Sequence, residues 1–379
     1  MPTTLSVVRE RWDAVVVGGG AMGTAAAWAL ARRGRSTLLL ERFRIGHDRG
    51  SSHGATRIFR FSYHHPDYVR MAQAARDRWR ELEATAGETL LHVTGGLDVG
   101  PGATVAAEAL GQAGMPFEWL QPERVVERWP GLIARPGEQV LFQAGAGVLT
   151  AERAVLAMAR AARAAGAEIR EESPAQAILP GDDGVEVRTA AGFVRAGVAV
   201  TAAGAWMPSL MAPAGIDVPL EVTREQVTHF ERASPGALPT VIDWSVPDDP
   251  GPARYAVPDP TRPGTIKLGE HRSGPVVDPD TRTFDPDPDA VARVKAWATR
   301  RFAGLRPTGS ETCLYTTTPD EDFVLDRMGP VVVGSACSGH GFKFAPLIGE
   351  CLATLATGDR PPVPLDRFRI SRPSLAPTK

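Results

Sequence analysis

The pattern of apolar and polar positions predicts that the chain begins with a buried strand-helix-strand unit. Residues 14–17 form a short β-branched apolar run, residues 22–33 an Ala-rich stretch closed by Gly34, and residues 36–40 a second apolar run. Short, continuously apolar strands on either side of a helix are typical of a parallel sheet that is covered on both faces. We therefore expect a βαβ unit over the first forty residues.

Three further helices are predicted from periodicity and flanking residues. Residues 68–85 show a charged amphipathic pattern, and residues 151–165 follow Thr150, a residue type that caps helix N-termini. Another helix is expected near residues 291–302, after the DPDPD segment at 285–289. The chain therefore alternates helical and strand segments, as α/β proteins do.

The remaining apolar runs predict strands. Residues 185–188 and 193–196 flank AAG at 190–192 and are typical of a hairpin, and residues 198–201 form one more apolar strand. A β-branched run at 331–334 leads into a glycine-rich loop. Residues 245–264 are rich in Pro and Asp, so we expect an irregular loop there.

The buried-type strands near positions 14, 36, 198 and 331 are far apart in the chain, which predicts a discontinuous domain. We place residues 1–85, 146–215 and 310–379 in a nucleotide-binding domain. Residues 86–145 and 216–309 then form a second domain for substrate. A length of 379 residues supports more than one domain, since roughly 150 residues per domain is usual.

Composition narrows the class of protein. Hydrophobic residues make up 43% and charged residues 23%, which is globular composition. The net charge of −2 provides no basic excess for binding nucleic acid. Three cysteines without a CxxC pair argue against a disulfide framework and a structural zinc site, so we expect no metal. With no apolar secretory or membrane-spanning segment, we expect a soluble, cytoplasmic protein.

A glycine turn follows the first predicted strand and opens the first helix. Gly18, Gly20 and Gly23 match GxGxxG, in which glycine lets backbone N–H groups approach a pyrophosphate at the helix N-terminus. Glu41 ends the second strand, where a carboxylate can accept hydrogen bonds from both ribose hydroxyls. An acid at this position argues against NADP and leaves FAD and NAD open. A tight turn that packs an Ala-rich helix is the structural alternative.

Several longer segments together resemble the monomeric sarcosine oxidase family. They are VVVGGGAMGTAAAWALARRG, GSSHGATRIFR, KLGEH, ETCLYTTTPDEDFVLD and SGHGFKFAP, spread from about residue 13 to residue 373. The relatives of this family include N-methyltryptophan oxidase and pipecolate-type oxidases, among the D-amino-acid-oxidase-like flavoproteins. The resemblance implies a Rossmann-like FAD domain and a substrate domain built on an antiparallel sheet, with the flavin ring between them.

The resemblance also implies a cofactor site. Cys313 matches the cysteine that carries FAD through a thioether. The structural alternative is that Cys313 is a small buried apolar side chain, as free cysteine commonly is. The glycine turn and the matched segments together predict the following FAD-binding residues: Gly18, Gly20, Ala21, Met22, Gly23, Glu41, Arg42, Ser51, Ser52, Thr56, Gly204, Cys313, Gly339, Gly341, Phe342 and Lys343.

Matched residue by residue, the family implies which side chains meet substrate and oxygen. Arg60 and Lys343 would hold a substrate carboxylate beside Gly339, and Lys267 matches the lysine credited with oxygen activation. The other candidate catalytic residues are His53, Arg57, His271 and Tyr255. Arg57 and Arg60 would share a face in a helix and point opposite ways in a strand.

The small number of lysines and their local sequence independently support functional roles for Lys267 and Lys343. Only four residues are Lys, and Lys267 and Lys343 stand in the apolar or glycine-rich settings TIKLG and GFKFAP. The pKa of an ammonium responds to burial, which Arg cannot imitate. A strand lysine that faces water is the alternative for Lys267.

The chain departs from the family at one segment. Sarcosine-type members carry His-His-Gly-Asp where this chain has Ser52-His53-Gly54-Ala55, which removes a histidine and a carboxylate beside the ring. The segments around 100–140 and 205–255 match only loosely, so the resemblance does not identify the substrate of this chain.

The sequence thus predicts an FAD-dependent oxidase of a secondary or cyclic α-amino acid. Its action would give an imine and H₂O₂, and the protein would be a monomer without nucleic-acid or membrane partners. A biosynthetic four-electron oxidase that aromatises a cyclic imino acid is the nearest alternative. An NAD-dependent dehydrogenase and a non-catalytic flavin-binding redox sensor are the others.

Overall fold

The computed structural model describes residues 11–232, 236–244 and 252–375. Within these residues the chain forms nineteen strands and eight α-helices. The strands are β1 (Arg11–Val17), β2 (Thr37–Leu40), β3 (Thr56–Phe59), β4 (Leu91–Val93), β5 (Gly96–Val99), β6 (Glu118–Leu120), β7 (Val140–Gln143), β8 (Gly147–Thr150), β9 (Glu168–Arg170), β10 (Ala175–Gly181), β11 (Gly184–Thr189), β12 (Gly192–Thr201), β13 (Glu221–Arg232), β14 (Thr240–Asp243), β15 (Arg254–Pro258), β16 (Thr265–Glu270), β17 (Leu305–Thr317), β18 (Val324–Met328) and β19 (Val331–Ser335). The helices are α1 (Ala21–Ala31), α2 (Pro66–Ala86), α3 (Gly102–Gln112), α4 (Pro122–Arg128), α5 (Ala151–Ala164), α6 (Met207–Met211), α7 (Pro288–Arg301) and α8 (Ala345–Thr357).

A parallel sheet joins the distant apolar runs. β1 pairs in parallel with β2 and β12, and β12 pairs in parallel with β19. The prediction that strands near 14, 36, 198 and 331 share one sheet is confirmed. β9 extends this sheet beyond β2. Its three residues show no apolar run, and the sequence did not predict it.

The strand predicted at 198–201 is present, but its separation from the hairpin strand at 193–196 is wrong. β12 runs unbroken from Gly192 to Thr201. Its first half pairs antiparallel with β11, as the predicted hairpin requires, and its second half pairs with β19. Gly197 lies between the two halves, and one glycine weakens a strand without ending it.

Helices cover one face of the parallel sheet. Every residue of α1 except Met22 is buried, because α1 packs against the sheet, α5 and α8. This position explains why the first helix is apolar all round. The predicted helices are confirmed as α1, α2, α5 and α7. Thr150 does precede α5, but its hydroxyl donates to the Leu90 carbonyl (3.3 Å) and does not cap the helix.

The second large sheet has the strand order β17-β13-β16-β15-β14-β5-β7-β6 and is antiparallel except for the parallel pair β14–β5. On one face, Phe230, Ile266 and Leu268 pack with Trp297 of α7 in an apolar core. Side chains at the alternate positions point the other way, since successive residues of a strand face opposite sides. This second face forms one wall of the site.

The expected loop at 245–264 needs a correction. β15 (Arg254–Pro258) lies inside that segment and pairs with β14 and β16, while residues 245–251 lie outside the described residues. The flanking Pro and Asp residues hide a five-residue strand whose stability comes from its neighbours. The predicted domain limit at 309/310 falls within β17, and the division into domains remains a prediction.

Candidate active site

A cavity of about 850 Å³ lies between the two large sheets. Residues that follow β1, β2, β12 and β19 line one side of it, at the carboxyl ends of the parallel strands. Alternate residues of the second sheet line the other side. Open α/β sheets bind ligands at this edge, and the volume is large among ligand cavities, which span about 300–1,000 Å³.

The cavity brings together nearly all of the predicted site residues. Those at its wall are Gly18, Gly20, Ala21, Met22, Glu41, Arg42, Ser51, Ser52, His53, Thr56, Arg57, Arg60, Gly204, Tyr255, Lys267, His271, Cys313, Gly339, Gly341, Phe342 and Lys343. Gly23 is not at the wall. A Cβ there would lie 1.7 Å from the Gly18 carbonyl oxygen, so Gly23 permits the close packing of α1 against the turn.

The glycine turn forms an anion-binding end of the cavity. Gly18 has a φ of +102°, and a Cβ on it would lie 2.4 Å from the Ala202 carbonyl oxygen. No acidic side chain lies in the first turn of α1 itself, and the Ala21 N–H at the start of the helix donates to the Ser52 hydroxyl (3.0 Å). This backbone can approach a pyrophosphate closely, as a dinucleotide requires.

Glu41 lies beside the turn, with its side chain almost fully buried. Its two carboxylate oxygens accept hydrogen bonds from the Gly19 N–H (2.5 Å) and the Phe43 N–H (2.7 Å). Each oxygen keeps a second lone pair for a ribose hydroxyl. The carboxylate is therefore fixed in place before a ligand binds.

Lys267 projects from β16 into the middle of the cavity. Its side chain is 6% exposed, and its Nζ donates to the Thr56 carbonyl (2.5 Å). Burial, reinforced by the nearby Arg57 guanidinium, lowers the pKa of Lys267 to about 7. A small change in surrounding charge therefore decides whether this amine is charged at neutral pH.

Arg57 and His53 lie on and just before β3, the strand whose Thr56 carbonyl accepts from Lys267. Arg57 belongs to β3 and donates to the carbonyls of Ser51 (2.9 Å), His53 (2.7 Å) and Thr56 (2.9 Å), so it shapes the loop that carries the predicted flavin contacts. Burial and the Arg57 charge lower the pKa of His53 to about 4. Its Nε2 is buried and has no hydrogen-bond partner among the described residues. His53 is thus a neutral imidazole with an unused ring nitrogen.

Arg60 and Lys343 lie together at the other end of the cavity. Lys343 is buried, and its Nζ donates to the Tyr63 hydroxyl (2.7 Å) and the His340 carbonyl (2.7 Å). The Arg60 guanidinium packs over the Tyr63 ring, 4.6 Å from its centroid, and over Trp244 at 5.4 Å. Arg60 lies just beyond the end of β3, so it reaches the same cavity as Arg57 despite the odd spacing. Two adjacent cations favour a carboxylate ligand.

His271 and Gly339 line the same end of the cavity as Arg60 and Lys343. A Cβ on Gly339, which has a φ of +72°, would lie 2.3 Å from the Tyr315 ring and 2.6 Å from His271 Cε1. Burial and the charges of Arg60, Arg272 and Lys343 lower the pKa of His271 to about 4. His271 therefore adds no further positive charge at neutral pH.

Cys313 lines the cavity from β17, on the same sheet face as Lys267. Burial raises the pKa of its thiol to about 11, although the Arg57 and Lys267 charges oppose this shift. Tyr255 is also buried, and burial raises the pKa of its phenol. Both groups are protonated at neutral pH in this arrangement.

Sequence reasoning missed several polar residues at or next to the site, of which four bear on its charges. Tyr63 and Asp98 contact or approach Arg60, and Glu311 and His229 lie near Lys267. Glu311 lies two residues before Cys313 on β17 and so shares its face, but the sequence pattern predicted no strand there. Asp98 and His229 come next to residues of the cavity wall only through long-range strand pairing.

Two other types of site are absent from the described part of the chain. Within it, no group of three or more His, Cys, Asp and Glu side chains is arranged to hold a metal ion. No helix in the same residues is both long and apolar enough to cross a membrane.

Comparison with known proteins agrees with this geometry. The family model described as FAD dependent oxidoreductase matches residues 13–355. The chain is 31% identical over 395 residues to monomeric sarcosine oxidase of Arthrobacter sp. (strain TE1826), covering 97% of this chain and 98% of that protein. It is 29% identical to N-methyl-L-tryptophan oxidase of Salmonella agona (strain SL483), covering 96% and 99%.

Among solved structures, the open form of NikD, described as an unusual amino acid oxidase essential for nikkomycin biosynthesis, superposes with a TM-score of 0.85 at 27% identity. The match covers 95% of this chain and 97% of that one. The geometry and the comparisons point to the same family. The parallel strands carry a dinucleotide-binding turn, the opposite wall is rich in cations, and the matches extend along nearly the whole chain. The chain belongs to the family of FAD-dependent oxidoreductases.

Proposed function

We propose that this protein oxidises the C–N bond of a secondary or cyclic α-amino acid and transfers the electrons to O₂. The observation that carries the proposal is one cavity with a carboxylate-binding pair, Arg60 and Lys343, at one end and a dinucleotide cradle at the other. The similarity to sarcosine oxidase and N-methyl-L-tryptophan oxidase supports this class of substrate.

The residues present fit FAD. The Gly18 turn and the start of α1 would hold the pyrophosphate, and Glu41 would accept hydrogen bonds from the ribose hydroxyls. FAD, when bound, supplies a two-electron acceptor. We further propose that Cys313 attaches to FAD through a thioether. The position of Cys313 on the cavity wall supports this attachment. Because its thiol pKa is raised and the thiolate is the reactive form, we expect the thiolate to form only when bound FAD stabilises it.

The protein's own residues would bind and orient the substrate. Lys343 has three N–H donors, of which Tyr63 and His340 accept two, so one remains for a carboxylate. Arg60 supplies further donors from the adjacent wall. The same cations disfavour a protonated amine nearby, so they keep the substrate nitrogen neutral, with its lone pair available.

Lys267 would act on the oxygen side. As an ammonium it would stabilise the negative charge that develops on O₂ during its conversion to H₂O₂, an electrostatic effect of the oxyanion-hole kind. Its burial next to Thr56 in a cavity wall supports this role, since charge is most effective where water is excluded.

Matched substrates test the proposal. Peroxide formation should be rapid with N-methyl and cyclic α-amino acids, and at least tenfold lower in kcat/KM with the same compounds carrying an amide in place of the carboxylate. Equal turnover of acid and amide would refute carboxylate anchoring by Arg60 and Lys343. The similarity to NikD keeps a biosynthetic oxidase as a second candidate. The ratio of peroxide to substrate separates one two-electron oxidation from two.

We also propose that the protein acts as a cytoplasmic monomer on small-molecule substrates. The name of the monomeric sarcosine oxidase relative and the three unpaired cysteines support this assignment. A mass in solution twice that of the chain would contradict it.

A further inference from the structure

Three neighbouring strands place a cation, an imidazole and a carboxylate on one sheet face. Lys267 of β16 lies directly opposite His229 of β13. Glu311 of β17 lies opposite Val227, two positions from His229 on the same strand. Residues that are directly paired, or two apart on a strand, share a sheet face. Lys267, His229 and Glu311 therefore all lie on the face that lines the cavity.

His229 holds the Glu311 carboxylate. The His229 Nε2 and a Glu311 carboxylate oxygen are 3.2 Å apart. This hydrogen bond lowers the pKa of Glu311 to about 2 against the opposing effect of burial. A neutral imidazole can donate such a bond, so Glu311 keeps a full negative charge at neutral pH.

Glu311 also faces the loop that carries His53. A Cβ on Gly54 would lie 3.4 Å from a Glu311 carboxylate oxygen. Residues 51–57 contain no acidic side chain, so the loop itself offers no negative charge. The carboxylate next to this part of the cavity comes from the second sheet.

The other charges that act on Lys267 do not replace this carboxylate. Arg57, on β3, is a cation and favours the neutral amine, and His53 is neutral. Asp259, after β15, forms an ion pair with Arg262 (2.8 Å). The Cys313 thiol is protonated. Glu311 is thus the main negative charge that favours the ammonium form of Lys267.

We propose that Glu311, held by His229, is the counter-ion that keeps Lys267 positively charged and is therefore a positioning residue for the oxygen side of the reaction. This inference rests on the function proposed above for Lys267. It assigns Glu311 and His229 a joint role through charge, without contact to the reacting atoms.

Lysine NMR gives a readout that does not depend on activity. The chain has only four lysines, so the ¹³Cε resonances of the labelled, FAD-loaded protein are few, and Lys267→Met identifies the resonance of Lys267. In Glu311→Gln the titration midpoint of Lys267 should fall by about one pH unit, the effect of losing one nearby opposite charge. Glu231→Gln is the matched control, because Glu231 lies on β13 in an exposed ion pair with Arg306 and should leave the midpoint unchanged.

An unchanged Lys267 midpoint in a folded Glu311→Gln protein would overturn the inference. If that variant does not fold, His229→Leu tests the same point, because loss of the holding bond should shift the midpoint in the same direction. His229→Gln, which keeps a donor, should restore it at least in part. The pH at which reoxidation by O₂ slows should move with the NMR midpoint, while anaerobic reduction should not change.

Failure of the inference is separable from failure of the proposed function. If Lys267→Met leaves reaction with O₂ unchanged, the proposed oxygen role of Lys267 is wrong whatever Glu311 does. If Lys267→Met slows that reaction and Glu311→Gln moves neither the NMR midpoint nor the pH profile, only the counter-ion role is wrong.

Discussion

Replacing Lys343 by Met removes one buried amine from the proposed carboxylate site with little change in side-chain volume. Lys343 lies at the start of the segment that leads into α8 and donates to Tyr63 and His340. Once the amine is gone, the Tyr63 hydroxyl can turn toward His340 Nδ1, which lies 3.4 Å away. The variant should therefore fold, and its defect should lie in ligand binding.

The size of the defect follows from the donors. With two of three N–H groups used inside the protein, Lys343 offers one charged hydrogen bond to a carboxylate. Such a bond contributes about 2 kcal/mol, within a range of about 1.5–3 kcal/mol. The dissociation constant of a carboxylate should therefore rise about thirtyfold, since about 1.4 kcal/mol corresponds to a factor of ten.

Benzoate is a suitable probe, because it carries a carboxylate but no oxidisable amine. Its binding is followed by the change in FAD absorbance, with benzamide as the uncharged ligand. Lys295→Met is the matched control variant, because Lys295 is exposed on α7. Lys343→Met should weaken benzoate binding and leave benzamide binding unchanged. Equal losses for both ligands, or no loss for benzoate, would refute the anchor.

The pH dependence has a definite sign. Burial and the Arg60 charge hold the pKa of Lys343 well below its ordinary value in the free protein. A bound carboxylate favours the ammonium and raises that pKa, so binding takes up a proton. Benzoate affinity should therefore fall as pH rises above the pKa of the free form. Calorimetry in buffers of different ionisation enthalpy should show that wild type takes up a proton when benzoate binds. The Lys343→Met variant should show no such proton uptake.

Three further outcomes are expected. Lys267→Met should slow reoxidation by O₂ at least tenfold more than anaerobic reduction in stopped-flow experiments, and equal effects would contradict its role. Cys313→Ser should release yellow FAD on acid precipitation, whereas wild type should keep the colour in the pellet; release from wild type would remove the thioether. Gly18→Ala should destabilise the protein by more than about 1 kcal/mol and weaken FAD retention, because alanine is strained at positive φ. Gly111→Ala, in an open helical position, is the control, and similar melting temperatures for both variants would contradict the turn geometry.

Local patterns account for what could be predicted from sequence. The first βαβ unit and the Gly18 turn are encoded by neighbouring residues, so spacing and apolar runs suffice. The resemblance placed Lys267, Cys313 and Lys343 in one site, and the cavity contains all three.

The features that could not be predicted from the sequence depend on strand pairing between distant parts of the chain. Asp98 accepts a hydrogen bond from Trp244 of the cavity wall because β5 joins β14 in parallel across more than 140 residues, and no local pattern encodes that pairing. β15 is hidden because its stability depends on β14 and β16. The pairing of Glu311 with His229 joins residues of two strands whose register only the folded sheet defines.

A two-step measurement shows whether the protein is an oxidase of carboxylate-bearing secondary amines. The purified yellow protein is mixed without oxygen with sarcosine, L-proline or L-pipecolate, and O₂ is then admitted. An oxidase of this class should bleach in the first step with at least one substrate, and its colour should return with formation of H₂O₂ in the second. No bleaching with any such amine, or bleaching that O₂ does not reverse, would contradict the proposed function.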